Sequence, residues 1–206
     1  HGAAFVASNS SIIVYAGNQD AGTNTSPSSY TVLISTKAPY FIKSELSQEA
    51  PSLNNPQLLP LNSTHVGMFG GDGNHAVYTY SVGPGWVSSP VSLPTAISTS
   101  TPLTLFSGSG ESKVLEFFNV DASPNTVTNY EIFGSDGKPQ SPAVVVGSSS
   151  QKRSTGSYPT YNDTFAPANK WSDYALAQGN NGLVVLSSGQ SNDSLAIFNQ
   201  TSNSWV

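Results

Sequence analysis

Cysteine is absent from this chain of 206 residues, which removes disulfides, thiolate zinc sites, cysteine nucleophiles and iron–sulfur clusters at once. Charge is scarce as well: Asp, Glu, Lys and Arg make up 9% of the chain, against about 25% in an ordinary soluble domain. Coiled coils and helical bundles, which need those residues in quantity, are excluded. A single arginine, Arg153, and a net charge of −5 exclude a surface that tracks nucleic-acid phosphates. No apolar run approaches the ~18–20 residues of a membrane span; Ser11–Ala16 and Gly182–Leu186 are of strand length. Methionine occurs only as Met68 and the chain opens on His1, so it is expected to be a processed product or a fragment, with any secretory leader removed.

What is present is turn chemistry and hydroxyls. Serine and threonine supply about a quarter of the residues, with 18 Gly and 14 Pro. Six N-x-[ST] sequons occur, at Asn9, Asn24, Asn62, Asn162, Asn192 and Asn199, where chance predicts roughly four. Together these features lead us to expect a secreted or cell-surface glycoprotein.

The sequence also repeats. Ala3–Gly17, Gln57–Gly71 and Tyr174–Gly189 each run apolar strand, Asn turn, apolar strand, Gly, with eight residues from Asn9 to Gly17, Asn62 to Gly70 and Asn181 to Gly189. Ala96–Gly108 keeps the second strand and the Gly, with Ser100 in the Asn place. Asn and Gly suit tight hairpins because they tolerate the left-handed backbone. A third strand is expected at Tyr30–Ser35, Ala76–Ser81, Lys113–Val120 and Ser194–Asn199, and a weaker fourth at Tyr40–Leu46 and Thr126–Phe133. Short strands at spacings of about 8–12 residues predict an all-β protein, and four-stranded repeats of about 40–50 residues predict β-propeller blades. We place the blades at about 1–50, 51–94, 95–135 and 170–206 of a single propeller or part-propeller, with a Gly-, Ser- and Pro-rich insertion at 136–169. A degenerate fifth blade around Pro142–Gly147 is the alternative.

Met68–Trp86 has a Gly pair, a following strand and then Trp, and Phe198 to Trp205 keeps an aromatic, six residues, then Trp. In these motifs the chain resembles kelch-repeat β-propellers of the secreted fungal type, to which the central domain of galactose oxidase belongs. Blade one lacks the Trp, and three blades lack the second Gly. The resemblance implies a propeller fold and says little of chemistry. It does not extend to the copper-radical site, which requires a cysteine crosslinked to tyrosine. Kelch propellers commonly have six or seven blades, so an incomplete ring is expected here, covered by further residues of the same precursor or by another subunit; a four-bladed closed ring is the competitor.

Candidate chemistry is sparse. An N-terminal His1 with His75 or His65 offers nitrogen ligands for Cu(II), as in lytic polysaccharide monooxygenases, against the plainer reading of His1 as the first residue of a strand. Asp20, Asp72, Glu111 and Asp193 each follow a Gly anchor, so loops on one propeller face would gather them into a carboxylate ring for Ca²⁺ or a cationic partner; solvated turn tips are the simpler reading. Tyr158, Tyr161 and Trp171 lie in or beside the Pro-rich stretch, where aromatics serve glycan or protein surfaces or dock the stretch onto the sheets. Trp86 and Trp205 are assigned to packing, and Lys152-Arg153 is a dibasic processing site or a solvated pair. The expectation is an extracellular binding or structural module for a protein or glycan partner, without cofactor. The alternative is a carbohydrate-active enzyme using loop carboxylates or copper at His1.

Overall fold

The structure is a computed structural model and describes residues 2–15, 28–47, 49–71, 75–98, 101–148, 158–189 and 195–206. The chain divides into two compact units, His1–Ser100 and Thr101–Val206. In the first, β1 (Gly2–Val6), β2 (Ser11–Tyr15), β3 (Tyr30–Ser35) and β4 (Ile42–Leu46) pair in chain order, and so do β5 (Gln57–Pro60), β6 (His65–Phe69), β7 (Ala76–Ser81) and β8 (Gly85–Ser92). In the second, β9 (Leu103–Ser107), β10 (Lys113–Asn119), β11 (Thr126–Phe133) and β12 (Pro139–Val146) form one sheet, and β13 (Tyr174–Gln178), β14 (Leu183–Ser188), β15 (Leu195–Asn199) and β16 (Ser204–Trp205) the other. All neighbouring strands within the sheets are antiparallel. Sequential four-stranded meanders are the blades of a β-propeller. The only helical segment among the described residues is the 3₁₀ turn Ala7–Asn9.

Period-two patterning sets which side of each strand is buried. Ser11, Ile13 and Tyr15 of β2 point inward, as do Ala4 and Val6 of β1. The run Val114–Phe118 in β10 is buried on both faces, as befits a strand inside a two-sided sheet. The first unit's core gathers around Trp86, whose ring centroid lies 5.0 Å from Tyr15 and 5.2 Å from Tyr80. The Trp86 indole donates to Thr31 Oγ1 at 2.9 Å. In the second unit Phe118, Phe198 and Trp205 meet edge to face, joined by Trp171. Trp86 pairs directly across the ladder with Tyr80, and Trp205 with Phe198. The two tryptophans thus hold equivalent places, in the fourth strands of their sheets.

Three expectations are corrected. The fourth strand of the third sheet is β12, which lies inside the stretch read as an insertion from 136, so that sheet runs to Val146 and no fifth blade starts at Pro142. Gly108 follows the first strand of its sheet, whereas Gly70 and Gly189 follow second strands. An apolar run such as Leu103–Phe106 has the same pattern in any inner strand, so its position within the sheet is not encoded in it. The last sheet also has a fourth strand, β16, where the sequence suggested it ended on its third.

The Asn turns work by a different device from the one expected. Asn62 and Asn181 do not adopt the left-handed backbone; their Oδ1 atoms accept backbone N–H groups, from Thr64 and His65 in one case and Leu183 in the other. Ser10 and Gly182 carry the positive φ. Gly70 does meet the expectation of a crowded point: its φ is 71°, and a Cβ there would sit 3.0 Å from Ile97. Gly70→Ala is expected to cost about 1–3 kcal/mol, read as a lower denaturation midpoint at unchanged m-value.

Candidate functional site

A cavity of about 320 Å³ opens in the second unit. Its walls include Phe106 of β9, Ser109 and Ser112 of the β9–β10 turn, Glu131 of β11, Tyr158, and Thr201 of the β15–β16 turn. The Phe106 and Tyr158 rings meet edge to face at 6.0 Å, forming an aromatic wall. Glu131 is only 8% exposed, and its carboxyl accepts no hydrogen bond from any described residue. Burial, and then the carboxylate of Asp136, push its pKa up. Neither nearby lysine forms an ion pair with it: Lys113 of β10 donates to Ser107 Oγ at 2.7 Å, and Lys138 of the β11–β12 turn pairs with Asp136 at 2.9 Å.

Beneath Tyr158 lies a second carboxyl that is sealed from solvent. Glu116 sits on the same face of β10 and β11 as Glu131, because Glu116 pairs with Asn129 and Val114 with Glu131. Its Oε2 accepts from Thr104 Oγ1 and Gln200 Nε2, both at 2.6 Å, and its Oε1 from the Tyr158 hydroxyl at 3.0 Å. Gln178 in turn donates to Gln200 Oε1 and to the Leu105 carbonyl. Burial raises the Glu116 pKa while its three donors pull it down. Burial and the neighbouring Glu116 charge push the Tyr158 phenol far up, so its proton stays on the hydroxyl and is donated inward.

The wall that carries Tyr158 is pinned by Asn203. That residue has φ of 51° and is fully buried. Its Nδ2 donates to the Pro159 carbonyl at 2.8 Å, its Oδ1 accepts from Asn129 at 2.9 Å, and its carbonyl accepts the Asn162 N–H at 3.0 Å. Asn203→Gly would keep the turn's backbone but free the 158–162 segment. The expected result is a loss of about 1–3 kcal/mol, with faster hydrogen exchange at the Tyr161 and Asn162 amides.

A smaller cavity of about 260 Å³ lies in the first unit beside Trp86 and Tyr80, with Glu45 and Glu49 on its rim. Glu45 is already paired with Lys43. Burial, and then Glu45, lift the Tyr80 pKa to about 12.

Of the aromatics expected to face a ligand, Trp171 is instead in the core, 2% exposed, its backbone N–H bonded to the Val120 carbonyl. Tyr161 is half-buried, accepting from the Trp205 indole at 2.9 Å and donating to the Asn125 carbonyl. Of the three, Tyr158 is the one that lines the 320 Å³ cavity. The 158–171 segment docks on the sheets because Tyr161 and Trp171 gain more by joining the Phe198–Trp205 cluster than by facing water, while Phe165 stays exposed. Glu111 is an exposed turn residue. His75 is exposed, and its Nδ1 lies 2.9 Å from the Leu93 carbonyl. His1, Asp20, Asp72, Asp193, Asn24, Asn192 and the Lys152-Arg153 pair lie outside the described residues. Among the described residues no three His, Asp or Glu side chains cluster as a metal site, and no helix is long and apolar enough to cross a membrane.

Four sequons can be located. Asn62 and Asn162 are exposed, and in both the Oδ1 accepts from the backbone N–H and the hydroxyl of the threonine two residues on. Asn9 is half-buried with its Oδ1 enclosed and unpartnered. Asn199 is half-buried, accepting from the Thr201 and Ser202 amides.

Sequence reasoning passed over Glu116, Glu131 and Gln200. A signal existed: Glu116 and Glu131 are lone carboxylates in apolar strands, in Lys113–Asn119 and Thr126–Phe133, where an unpaired charge needs a reason. No protein-family model and no curated protein matches the chain.

Proposed function

We propose that this protein is an extracellular, kelch-type propeller module that binds a glycan through the cavity of its second unit. The observation that carries this reading is the combination of an aromatic wall, Phe106 with Tyr158, and a ring of hydroxyls from Ser109, Ser112 and Thr201 around a pre-formed hollow. Ring faces complement the C–H faces of a sugar, and hydroxyls on a fixed scaffold exchange hydrogen bonds with sugar hydroxyls. The equivalent Tyr80–Trp86 and Phe198–Trp205 pairs support the kelch assignment.

The test is binding of the full chain to immobilised glycans, with Ser109→Trp as the variant that fills the cavity mouth from an exposed position. At least a ten-fold loss of binding is expected. Undiminished binding by the folded variant would place recognition elsewhere. Export through a glycosylating compartment is supported by the two exposed sequon turns. Material made in such cells is expected to carry glycans at Asn62 and Asn162 and none at Asn9, as read by peptide mass spectrometry after enzymatic deglycosylation. A glycan on Asn9 would contradict the assignment.

A further inference from the structure

Glu131 is the feature of the cavity that a neutral sugar does not explain. Glu131 is 8% exposed as a residue and its carboxyl, turned to the cavity, has no hydrogen-bond partner among the described residues; a carboxylate so placed carries a desolvation cost, and such groups are compensated by an opposite charge or a metal. Among the described residues none supplies that charge: Lys113 donates to Ser107, Lys138 pairs with Asp136, and neither forms an ion pair with Glu131. Asp136 adds further negative potential at Glu131. A divalent cation fits poorly. Calcium and magnesium take six or more ligands, mostly oxygen, and of the other nearby carboxyls Glu116 is committed to three donors beneath Tyr158 and Asp136 is paired with Lys138. What remains is a ligand with one positive charge that also uses hydroxyls and an aromatic wall.

We propose that the cavity takes an amino sugar residue, its protonated primary amine paired with Glu131 and its ring set among Phe106, Tyr158 and the hydroxyls of Ser109, Ser112 and Thr201. The volume of about 320 Å³ is at the lower end for ligand pockets and suits a single hexosamine. A charge-assisted hydrogen bond from ammonium to carboxylate is shorter and stronger than a neutral one, and inside a partly closed cavity it is screened less than in open water. N-acetylation of the sugar would remove the charge and leave Glu131 unpaired. Discrimination between the free amine and its acetylated form is therefore the signature of this site. The inference rests on the cavity being the glycan site.

The test is an NMR titration of the full, isotope-labelled chain with glucosamine, N-acetylglucosamine, glucose and Nα-acetyl-lysine amide, following the Ser109, Ser112 and Thr201 amides. Glucosamine is expected to shift them saturably, with N-acetylglucosamine and glucose at least ten-fold weaker. Glu131→Gln, close in shape to the native side chain, is expected to remove that ten-fold preference while the other amide signals keep their positions. If that variant fails to fold, the preference among the four ligands in the native chain decides alone. Equal affinity for the three sugars would overturn the amine assignment and leave the glycan reading standing. No shift at these amides with any sugar would overturn both. Tighter binding of the lysine amide than of glucosamine would overturn the sugar and make the partner a lysine-bearing peptide.

Discussion

Trp205→Ala is expected to lower the unfolding free energy by about 3–5 kcal/mol, the range for truncating a buried aromatic. Trp205 is 3% exposed and contacts both Phe118 and Phe198 edge to face. Its removal opens a void in a cluster that also holds Trp171, Val184 and Leu186, and close-packed neighbours relax into such a void only in part. The indole N–H is also lost as a donor to the Tyr161 hydroxyl. Trp205→Phe separates the two contributions. It keeps a ring against Phe118 and Phe198 and loses only the hydrogen bond and some volume, for about 1–2 kcal/mol. Urea denaturation followed by circular dichroism measures both. A change below about 1 kcal/mol for the alanine variant would show that the cluster does not hold the second unit together.

The second large effect is expected at Glu116. Glu116→Leu leaves the Thr104 and Tyr158 hydroxyls without their acceptor and the Gln200 amide with only its longer bond to Thr104 Oγ1, at about 1–3 kcal/mol for each buried group left unmade, so a loss of about 3 kcal/mol or more is expected. Glu116→Gln behaves differently. Its carbonyl can accept from Thr104 and Gln200 while its amide donates to the Tyr158 oxygen, so each of the three residues keeps a hydrogen bond and only the Tyr158 O–H proton loses its acceptor. The pH dependence follows from burial, which raises the folded pKa of Glu116 above that of the unfolded chain. The native state then holds this proton more tightly than the unfolded state does. Its contribution to stability is complete below the unfolded value of about 4.3 and is lost as pH rises through the folded value. Glu131, shifted in the same direction, adds to the same trend. Glu116→Gln is expected to flatten the fall in stability between pH 4 and neutrality and to match or exceed the native chain at pH 7. Denaturation midpoints across that range measure it; parallel curves for the two proteins would show that Glu116 has an ordinary pKa.

The residues that were legible in the sequence were those whose role is set by spacing along the chain. Strand periodicity and turn residues gave the all-β, four-sheet architecture, and the aromatic-to-Trp separations marked the places where Trp86 and Trp205 pack. What depended on distant partners was not legible. Trp171 sits in a polar stretch, and only the hollow offered by Val184, Leu186 and Phe198 makes it a core residue. Strand β12 was hidden by its Pro, Gln and Ser content, since Pro139 and Pro142 are tolerated only because β12 is the edge of its sheet. The cavity was invisible because its walls come from five separate segments. The buried polar set of Thr104, Glu116 and Gln200 is specified by complementarity across two sheets.

The link between Asn129 and Asn203 spans 74 residues, and that between Thr104 and Gln200 spans 96. Contacts so far apart in the chain close large loops and are formed slowly. The hairpins of the third sheet can assemble from near neighbours, whereas the cavity exists only after the β15–β16 turn has brought Gln200, Thr201 and Asn203 against them. Ligand competence is therefore expected to be among the last properties the second unit acquires as it folds, and among the first to vanish when its final hairpin detaches.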